Sequence, residues 1–162
     1  MVEVTVSRFV RCSPERFLEF VMDFEGYAGV DGKIGRIDWV RRRGEVCEFR
    51  FRPTLPGLPG PAPKVVQRAR LTPGERVDIG YVPAPRNRIA RRISWFSASF
   101  VCEPVTGGTR LTRTIALEFT PAVRWLLEPI LRRSLPADVA REVARAKEHV
   151  ERDTMRGEGD GT

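Results

Sequence analysis

Hydrophobic and polar positions change their period along the chain, and the changes mark out its elements. Val2, Val4 and Val6 alternate with Glu3, Thr5 and Ser7, the period of a strand with one covered face, so a strand is predicted over Glu3–Val10. Ser13-Pro14 is a helix entry: the hydroxyl accepts a free amide, and proline at the first helical position forfeits no bond. Phe17, Phe20, Val21 and Phe24 then recur at helical spacing, and Gly26 is expected to close that apolar face near Asp23–Tyr27.

Two strand-like runs follow, Ile34–Arg43 and Glu45–Arg52, joined where Gly44 permits a tight hairpin. Cys47, Phe49 and Phe51 share one face, and Glu48, Arg50 and Arg52 the other, as in an antiparallel sheet wet on one side. Residues 53–63 hold five of the 13 prolines and cannot join a ladder. They are read as a loop, either a solvated linker or a lid that folds Leu55 and Leu58 over an opening.

Lys64–Leu71 and Arg76–Val82 make another strand pair about Thr72-Pro73-Gly74-Glu75, with Val77, Ile79 and Tyr81 on one face. Pro83–Arg92 is read as a basic loop. Ser94–Glu103 and Thr109–Thr120 form the last hairpin: Phe96, Ala98, Phe100 and Cys102 share one face of the first, and Leu111, Arg113, Ile115, Leu117 and Phe119 one face of the second. From Pro121 to Arg152 the period becomes helical. Pro129 and Pro136 each remove a donor, so a kink or a restart with Ser134 as cap is expected. The reading is one domain over residues 1–152 and a frayed tail over 153–162.

Composition changes this picture little. At 162 residues, 41% hydrophobic and 30% charged, one core is affordable without metal or disulfide. No apolar run is long enough to cross a bilayer, and the amino terminus lacks a signal-peptide layout, so a cytoplasmic protein is expected. Cys12, Cys47 and Cys102 are odd in number and far apart, which reads as buried thiols. His149 is the single histidine, which argues against most transition-metal sites and the usual hydrolase triads; no cofactor is called for. It sits near the border of the helical stripe and is read as a surface or half-buried side chain. Of 28 basic residues only Lys33, Lys64 and Lys147 are lysines, and the net charge is +7. A solvated basic surface is the plain reading of that excess; an anionic partner is the alternative.

The order of elements, strand, one or two short helices, six antiparallel strands, long helix, brings a family into view. Val6-Ser7-Arg8-Phe9-Val10-Arg11-Cys12-Ser13-Pro14-Glu15-Arg16-Phe17, Val21-Met22-Asp23-Phe24-Glu25-Gly26-Tyr27 and Gly107-Gly108-Thr109-Arg110-Leu111-Thr112 carry the resemblance. With them the chain resembles the SRPBCC superfamily, the START-like or birch-pollen-allergen helix-grip fold, in its polyketide cyclase/dehydrase and lipid-transport branch, over about residues 2–152. The resemblance implies an α+β fold: a curved seven-stranded antiparallel sheet wrapped round a long C-terminal helix, with a cavity for lipids, sterols, polyketides or other apolar molecules. Arg41-Arg42-Arg43-Gly44 stands where the pollen allergens have a glycine-rich loop, and the segment 53–63 is enlarged, so loop-borne ligand contacts do not carry over.

The alternation itself predicts the cavity wall: Phe49, Phe51, Tyr81, Phe96, Phe100, Ile115 and Ile130, each of which ordinary core packing would also explain. Arg113 stands apart, because its register turns a guanidinium inward and a buried cation is costly without an anion. Asp31, Asp38 and Asp78 are candidate partners; a ligand carboxylate, phenolate or enolate is the functional alternative. Three readings remain open. One is a binder of a small hydrophobic or aromatic molecule. Another is an aromatase/cyclase or dehydrase in which Arg113 stabilises an enolate and Tyr81 donates a proton. The third is a basic module that meets anionic membrane through Arg86, Arg88, Arg91 and Arg92; aromatic residues are not interleaved there, which disfavours nucleic acid. Oligomeric state is not legible.

Overall fold

The N-terminal alternation does form a strand. In the computed structural model, which describes residues 1–58, 60 and 62–159, β1 (Val2–Val10) leads into α1 (Pro14–Met22) and α2 (Phe24–Tyr27). Ser13 caps α1 by accepting from the Arg16 amide at 3.2 Å. Gly26 does not end the helical segment. It lies inside α2, which starts anew at Asp23, whose carboxylate accepts from the Gly26 amide.

The remaining strands are β2 (Ile37–Arg43), β3 (Val46–Phe51), β4 (Val65–Thr72), β5 (Arg76–Tyr81), β6 (Ser94–Val105) and β7 (Gly108–Phe119). Together with β1 they form one antiparallel sheet of order β1-β7-β6-β5-β4-β3-β2. Each successive hairpin adds a neighbour, and β7 folds back to receive β1, pairing Val2 with Leu117 and Val10 with Thr109. Gly44, at φ +59°, supplies the left-handed residue of the β2–β3 turn. Ile34 is buried but precedes β2, which starts three positions later than the alternation indicates because the segment before it is a turn.

Inward positions pack under α4 (Pro121–Gly159). Leu131, Leu135, Val139, Val143, Ala146 and Val150 are fully buried along its length, and α1 contributes Phe17, Leu18 and Val21 to the same core. Outward positions are wet, with hydroxyl pairs Thr5–Thr114 and Ser7–Thr112 bridging β1 and β7.

Two further expectations fail. The basic segment after β5 is not all loop, because Arg88–Ile93 form α3. Asn87, at φ +64°, opens it and uses its side chain to bond both backbone groups of Val66 and the carbonyl of Val82. That anchorage explains why Val66 is buried on the otherwise wet face. The long helix, in turn, neither restarts at Pro136 nor ends at Arg152. It runs to Gly159, and residues 160–162 of the expected tail lie outside the described residues. Both prolines sit on its exposed side, so the carbonyls of Trp125 and Arg132 that lose their amide partners belong to solvent-exposed residues, where a lost bond costs least. Ser134 is no cap: its hydroxyl donates to Ile130 O at 2.9 Å and to Pro56 O at 2.7 Å, tying the Pro-rich loop to the helix.

Candidate functional site

Sheet and helix do not close completely. A cavity of about 430 Å³ lies between the inner face and the front half of α4, within the ~300–1,000 Å³ usual for small-molecule pockets. All seven residues read as a wall, Phe49, Phe51, Tyr81, Phe96, Phe100, Ile115 and Ile130, line it, and so does Arg113. Strand alternation explains the grouping, since every second side chain of β3, β5, β6 and β7 faces the helix. Phe49 stacks on Phe24 at 4.0 Å and on Phe51 at 5.3 Å, which fixes one wall as a rigid aromatic layer. Tyr81 leans on Phe96 at 5.8 Å, and its hydroxyl lies 3.3 Å from Ser94 Oγ. Burial pushes the Tyr81 phenol above its ordinary pKa, against a smaller opposite effect of Ser94.

Three other segments complete the lining. The Pro-rich loop contributes Leu55 and Leu58, α3 contributes Ala90 and Ile93, and the first turns of α4 contribute Leu126 and Leu127. Pro59 and Pro61 of that loop lie outside the described residues. Gly57, at φ +79°, lets the chain approach α4 so closely that a Cβ there would sit 3.0 Å from Ile130. The cavity reaches the surface beside Leu126, which lines it while 51% exposed. Sequence reading missed Ile93, Leu126 and Leu127 as lining because α3 was read as loop and because helical periodicity alone cannot separate a core-facing leucine from a cavity-facing one.

A charged corner occupies one end. Arg113 is buried; its Nε donates to Glu142 Oε1 at 3.0 Å, its Nη2 lies 3.9 Å from Asp31 Oδ2, and its guanidinium sits 4.0 Å above the Phe100 ring. Glu142 also accepts from Tyr27 at 2.7 Å and from Lys33 Nζ at 2.7 Å. Lys33 completes its three donors with Asp31 at 2.8 Å and Asp138 at 2.7 Å. Asp31, Lys33 and Tyr27 also line the cavity. Of the three aspartates named as partners for Arg113, Asp31 is beside it, whereas Asp38 pairs with Lys64 and Asp78 with Arg76. The principal partner, Glu142, was not foreseen. Its position between Arg141 and Val143 falls on the helix's buried stripe, which was the available signal.

Burial would raise the Glu142 carboxyl, but the charges of Arg113 and Lys33 outweigh it and hold the group below its ordinary value. Asp31 goes the other way: burial and then the Glu142 charge lift it, against Lys33 and Arg113. Lys33 and Arg113 are themselves disfavoured by burial, yet the surrounding carboxylates keep both above their ordinary values. The Tyr27 phenol is pushed far up, chiefly by burial, and keeps its proton. The guanidinium is not fully satisfied. Arg113 Nη1 is buried and has no hydrogen-bond partner among the described residues.

The other titratable candidates stand apart from this corner. His149 is exposed, stacked on Phe20 at 4.6 Å and 3.4 Å from Asp153. Cys12, Cys47 and Cys102 are buried and unpaired, and burial pushes the Cys12 thiol up to about 11 and Cys102 to about 12, so both remain thiols. Arg86 lies 3.6 Å from Glu48 and over Trp39, while Arg88, Arg91 and Arg92 form no ion pair among the described residues.

Residues 1–151 match a family described as polyketide cyclase / dehydrase and lipid transport. No curated protein matches the chain in sequence. Among solved structures, TTHA0849 from Thermus thermophilus superimposes with a TM-score of 0.72 at 18% identity, covering 92% of this chain and 97% of its own. The Zhui aromatase/cyclase from a Streptomyces species gives 0.67 at 16% identity, covering 92% and 95%. The di-domain ARO/CYC StfQ from the steffimycin biosynthetic pathway gives 0.70 at 16% identity, with this chain spanning 94% of itself but 51% of StfQ. At these identities the likeness is one of fold: the helix-grip arrangement of antiparallel sheet and C-terminal helix.

Proposed function

We propose that this chain, which belongs to the polyketide cyclase / dehydrase and lipid transport family, binds one small, largely apolar molecule that carries a hydrogen-bond-accepting oxygen. The observation that carries the reading is the apolar cavity ending in a buried arginine with a spare donor. Enclosure supplies affinity. Burying about 300 Å² of apolar ligand surface at ~25 cal/mol per Å² gives about 7 kcal/mol before entropic costs, which sets a ceiling near the micromolar range. Orientation comes from the corner: a carbonyl, phenolate or enolate oxygen that meets the Arg113 guanidinium where it lines the cavity gains a charge-assisted hydrogen bond.

Lipid and polyketide-like molecules both fit this description. The cyclase or dehydrase alternative draws on two observations, a Tyr81 phenol that keeps its proton on the wall and a guanidinium available to a developing oxyanion. Against it, both carboxylates beside Arg113 are already engaged, Glu142 by Tyr27, Lys33 and Arg113, and Asp31 by Lys33. Binding without chemistry is therefore the reading preferred here.

The test is titration with an environment-sensitive aromatic dye such as anilinonaphthalene sulfonate, beside mass spectrometry of a denaturing extract of the purified protein. Ile115→Trp, which fills the hollow, is expected to abolish saturable dye binding, and Arg113→Leu to weaken it about tenfold or more. Dye binding unchanged by Ile115→Trp would overturn the reading. Turnover of a linear poly-β-ketone chain that is lost in Arg113→Leu and in Tyr81→Phe would replace it with the enzymatic one.

A further inference from the structure

Three of the seven large apolar side chains exposed among the described residues stand where the cavity opens; Met1, Phe9, Trp95 and Met155 are the others. Trp125 is 75% exposed, Ile89 67% and Leu126 51%. Trp125 and Leu126 stand in the second turn of α4, and Ile89 stands on α3. These elements adjoin, because the Thr120 amide at the start of α4 donates to the Ile93 carbonyl at the end of α3 at 2.9 Å. Each turns one side inward, Ala90 and Ile93 from α3 and Leu126 and Leu127 from α4, to line the cavity. Ile89 and Trp125 stand beside these and cover nothing. The Trp125 indole N–H is spent on the Ala122 carbonyl, so what the ring offers outward is hydrocarbon.

Along α3 and the start of α4 the charged residues are all basic. Residues 84–93 contain Arg86, Arg88, Arg91 and Arg92, residues 120–127 contain Arg124, and neither stretch contains an acidic residue. The Pro-rich loop that forms another side of the opening, residues 53–63, has no charged residue at all. Elsewhere several basic side chains sit beside carboxylates, as Arg42 does with Glu19, Arg68 with Glu48 and Lys147 with Glu151. Arg88, Arg91, Arg92 and Arg124 form no ion pair among the described residues, so nothing there competes with an external anion for their charge.

From this we infer that the rim docks on an anionic phospholipid bilayer, with Trp125, Leu126 and Ile89 entering the interface and the arginines meeting headgroup phosphates. Protruding tryptophan and aliphatic side chains flanked by arginine match the layering of a bilayer surface, apolar beneath and anionic above. Complementary charge alone would also suit an acidic protein or a nucleic acid. Three exposed hydrocarbon groups beside the mouth of an apolar cavity favour lipid, since docking there lets an oily molecule pass between bilayer and hollow without crossing water. The inference deepens the ligand-binding reading and rests on it for its purpose, but docking is measured without any ligand.

Co-sedimentation of the purified protein with sucrose-loaded vesicles tests it, using phosphatidylcholine alone and phosphatidylcholine with 30% phosphatidylglycerol. Binding is expected only to the anionic vesicles and to fall as salt is raised from 0.05 to 0.5 M. The triple variant Arg88→Gln/Arg91→Gln/Arg92→Gln should lose binding more than tenfold, at about fivefold for each arginine near an anionic surface. Trp125→Ser should weaken binding severalfold, and it should abolish a blue shift of tryptophan emission that anionic vesicles induce in the parent. Arg43→Gln/Arg70→Gln, which removes two exposed arginines of strands β2 and β4 outside the rim, should bind as the parent does. No binding to anionic vesicles, equal binding to neutral ones, or losses that follow total charge in both arginine variants would each overturn the docking surface. Dye titration of the same preparations separates the two proposals: dye binding that persists without vesicle binding sinks the docking inference and leaves the cavity reading standing.

Discussion

Glu142→Gln is the substitution that weighs the charged corner most directly. At neutral pH the corner holds the carboxylates of Asp31, Asp138 and Glu142 against the cations Lys33 and Arg113, a surplus of one negative charge. Counted that way, removing the Glu142 charge neutralises the cluster and should cost little. Geometry predicts the opposite. Glu142 is the acceptor common to Arg113, Lys33 and Tyr27, at 3.0, 2.7 and 2.7 Å, and its side chain is 1% exposed. A glutamine amide of the same shape keeps one acceptor oxygen, but it sets an NH2 group against a second donor and leaves Asp31, at 3.9 Å, as the one carboxylate beside Arg113. Removing one partner of a buried ion pair costs about 3–5 kcal/mol because the remaining charge is stranded in a dry site. For a domain of this size that is a fall in Tm of about 6–20 °C. Urea unfolding and calorimetry at pH 7 measure it, and a second readout is independent of stability. The Glu142 charge helps to raise the Asp31 carboxyl, so the Asp31 pKa followed by NMR should fall in the variant. A Lys33→Met cycle on top should show a coupling of about 0.5–3 kcal/mol. Stability within about 1 kcal/mol of the parent, with Asp31 unmoved, would refute the pairing argument and leave the net-charge count in its place.

Other consequences are local. Gly108→Ala would place a Cβ 2.3 Å from the Val10 carbonyl and 3.0 Å from the Phe9 ring, forcing β1 away from β7, so a loss of about 1–3 kcal/mol in urea unfolding is expected. Gly44→Ala meets no neighbour and should cost only the left-handed backbone penalty of about 1 kcal/mol. Ser134→Ala removes the bond to Pro56, and amide exchange at Leu58 should quicken while global stability falls by about 1 kcal/mol; unchanged exchange would mean that the Pro-rich loop is held by its leucines alone. Acid stability carries two signs. Glu142, Glu19 and Glu151 are held below 4.5, so the stability they confer is complete above that pH and is lost as pH falls through their folded-state values. Asp31, held above 3.8, favours the folded state when it takes its proton and opposes that loss. Unfolding free energy should therefore stay level down to about pH 5 and fall only below 4.5; a steady decline beginning above pH 6 would contradict the assignment.

How far the sequence could be read depended on whether neighbours along the chain or across it decided each feature. Strand alternation decides which side chains share a face, so the inward set from Phe49 to Ile115 was legible, and so was the unusual inward register of Arg113. The entry of α1 was legible because Ser13 acts on its own amides three residues on. Features settled by contacts across the fold were not. Nothing near Arg88–Ile93 marks a helix strongly, since α3 is one short turn and a half, held by Asn87 bonding a strand twenty-one residues away. Pro129 and Pro136 read as breaks because local rules assign them a lost hydrogen bond, yet the buried stripe of Leu131, Leu135 and Val139 keeps the helix whole. The partner of Arg113 was hidden for the same reason: which carboxylate on α4 meets β7 depends on how the helix lies across the sheet.

That dependence runs in both directions, and it explains why the corner is polar at all. A hydrocarbon corner of similar volume would have been as stable or more so, since buried ion pairs seldom repay their desolvation. Hydrocarbon would also permit α4 to slide or roll by a residue with little penalty, closing the hollow under Leu126 and Leu127. The ionic corner forbids this. Glu142 must face Tyr27 of α2, Lys33 of the following turn and Arg113 of β7 at once, and Asp138 one turn earlier must reach the same Lys33. Four elements are thereby fixed in one register with an apolar gap beside them. On this argument, filling the corner with Met, Leu and Phe at positions 33, 142 and 113, with Asp31→Asn and Tyr27→Phe so that no buried charge or phenol is stranded, should yield a protein at least as resistant to urea whose hollow is smaller and whose dye affinity is lower. A variant equally stable with undiminished dye binding would show that the gap keeps itself open.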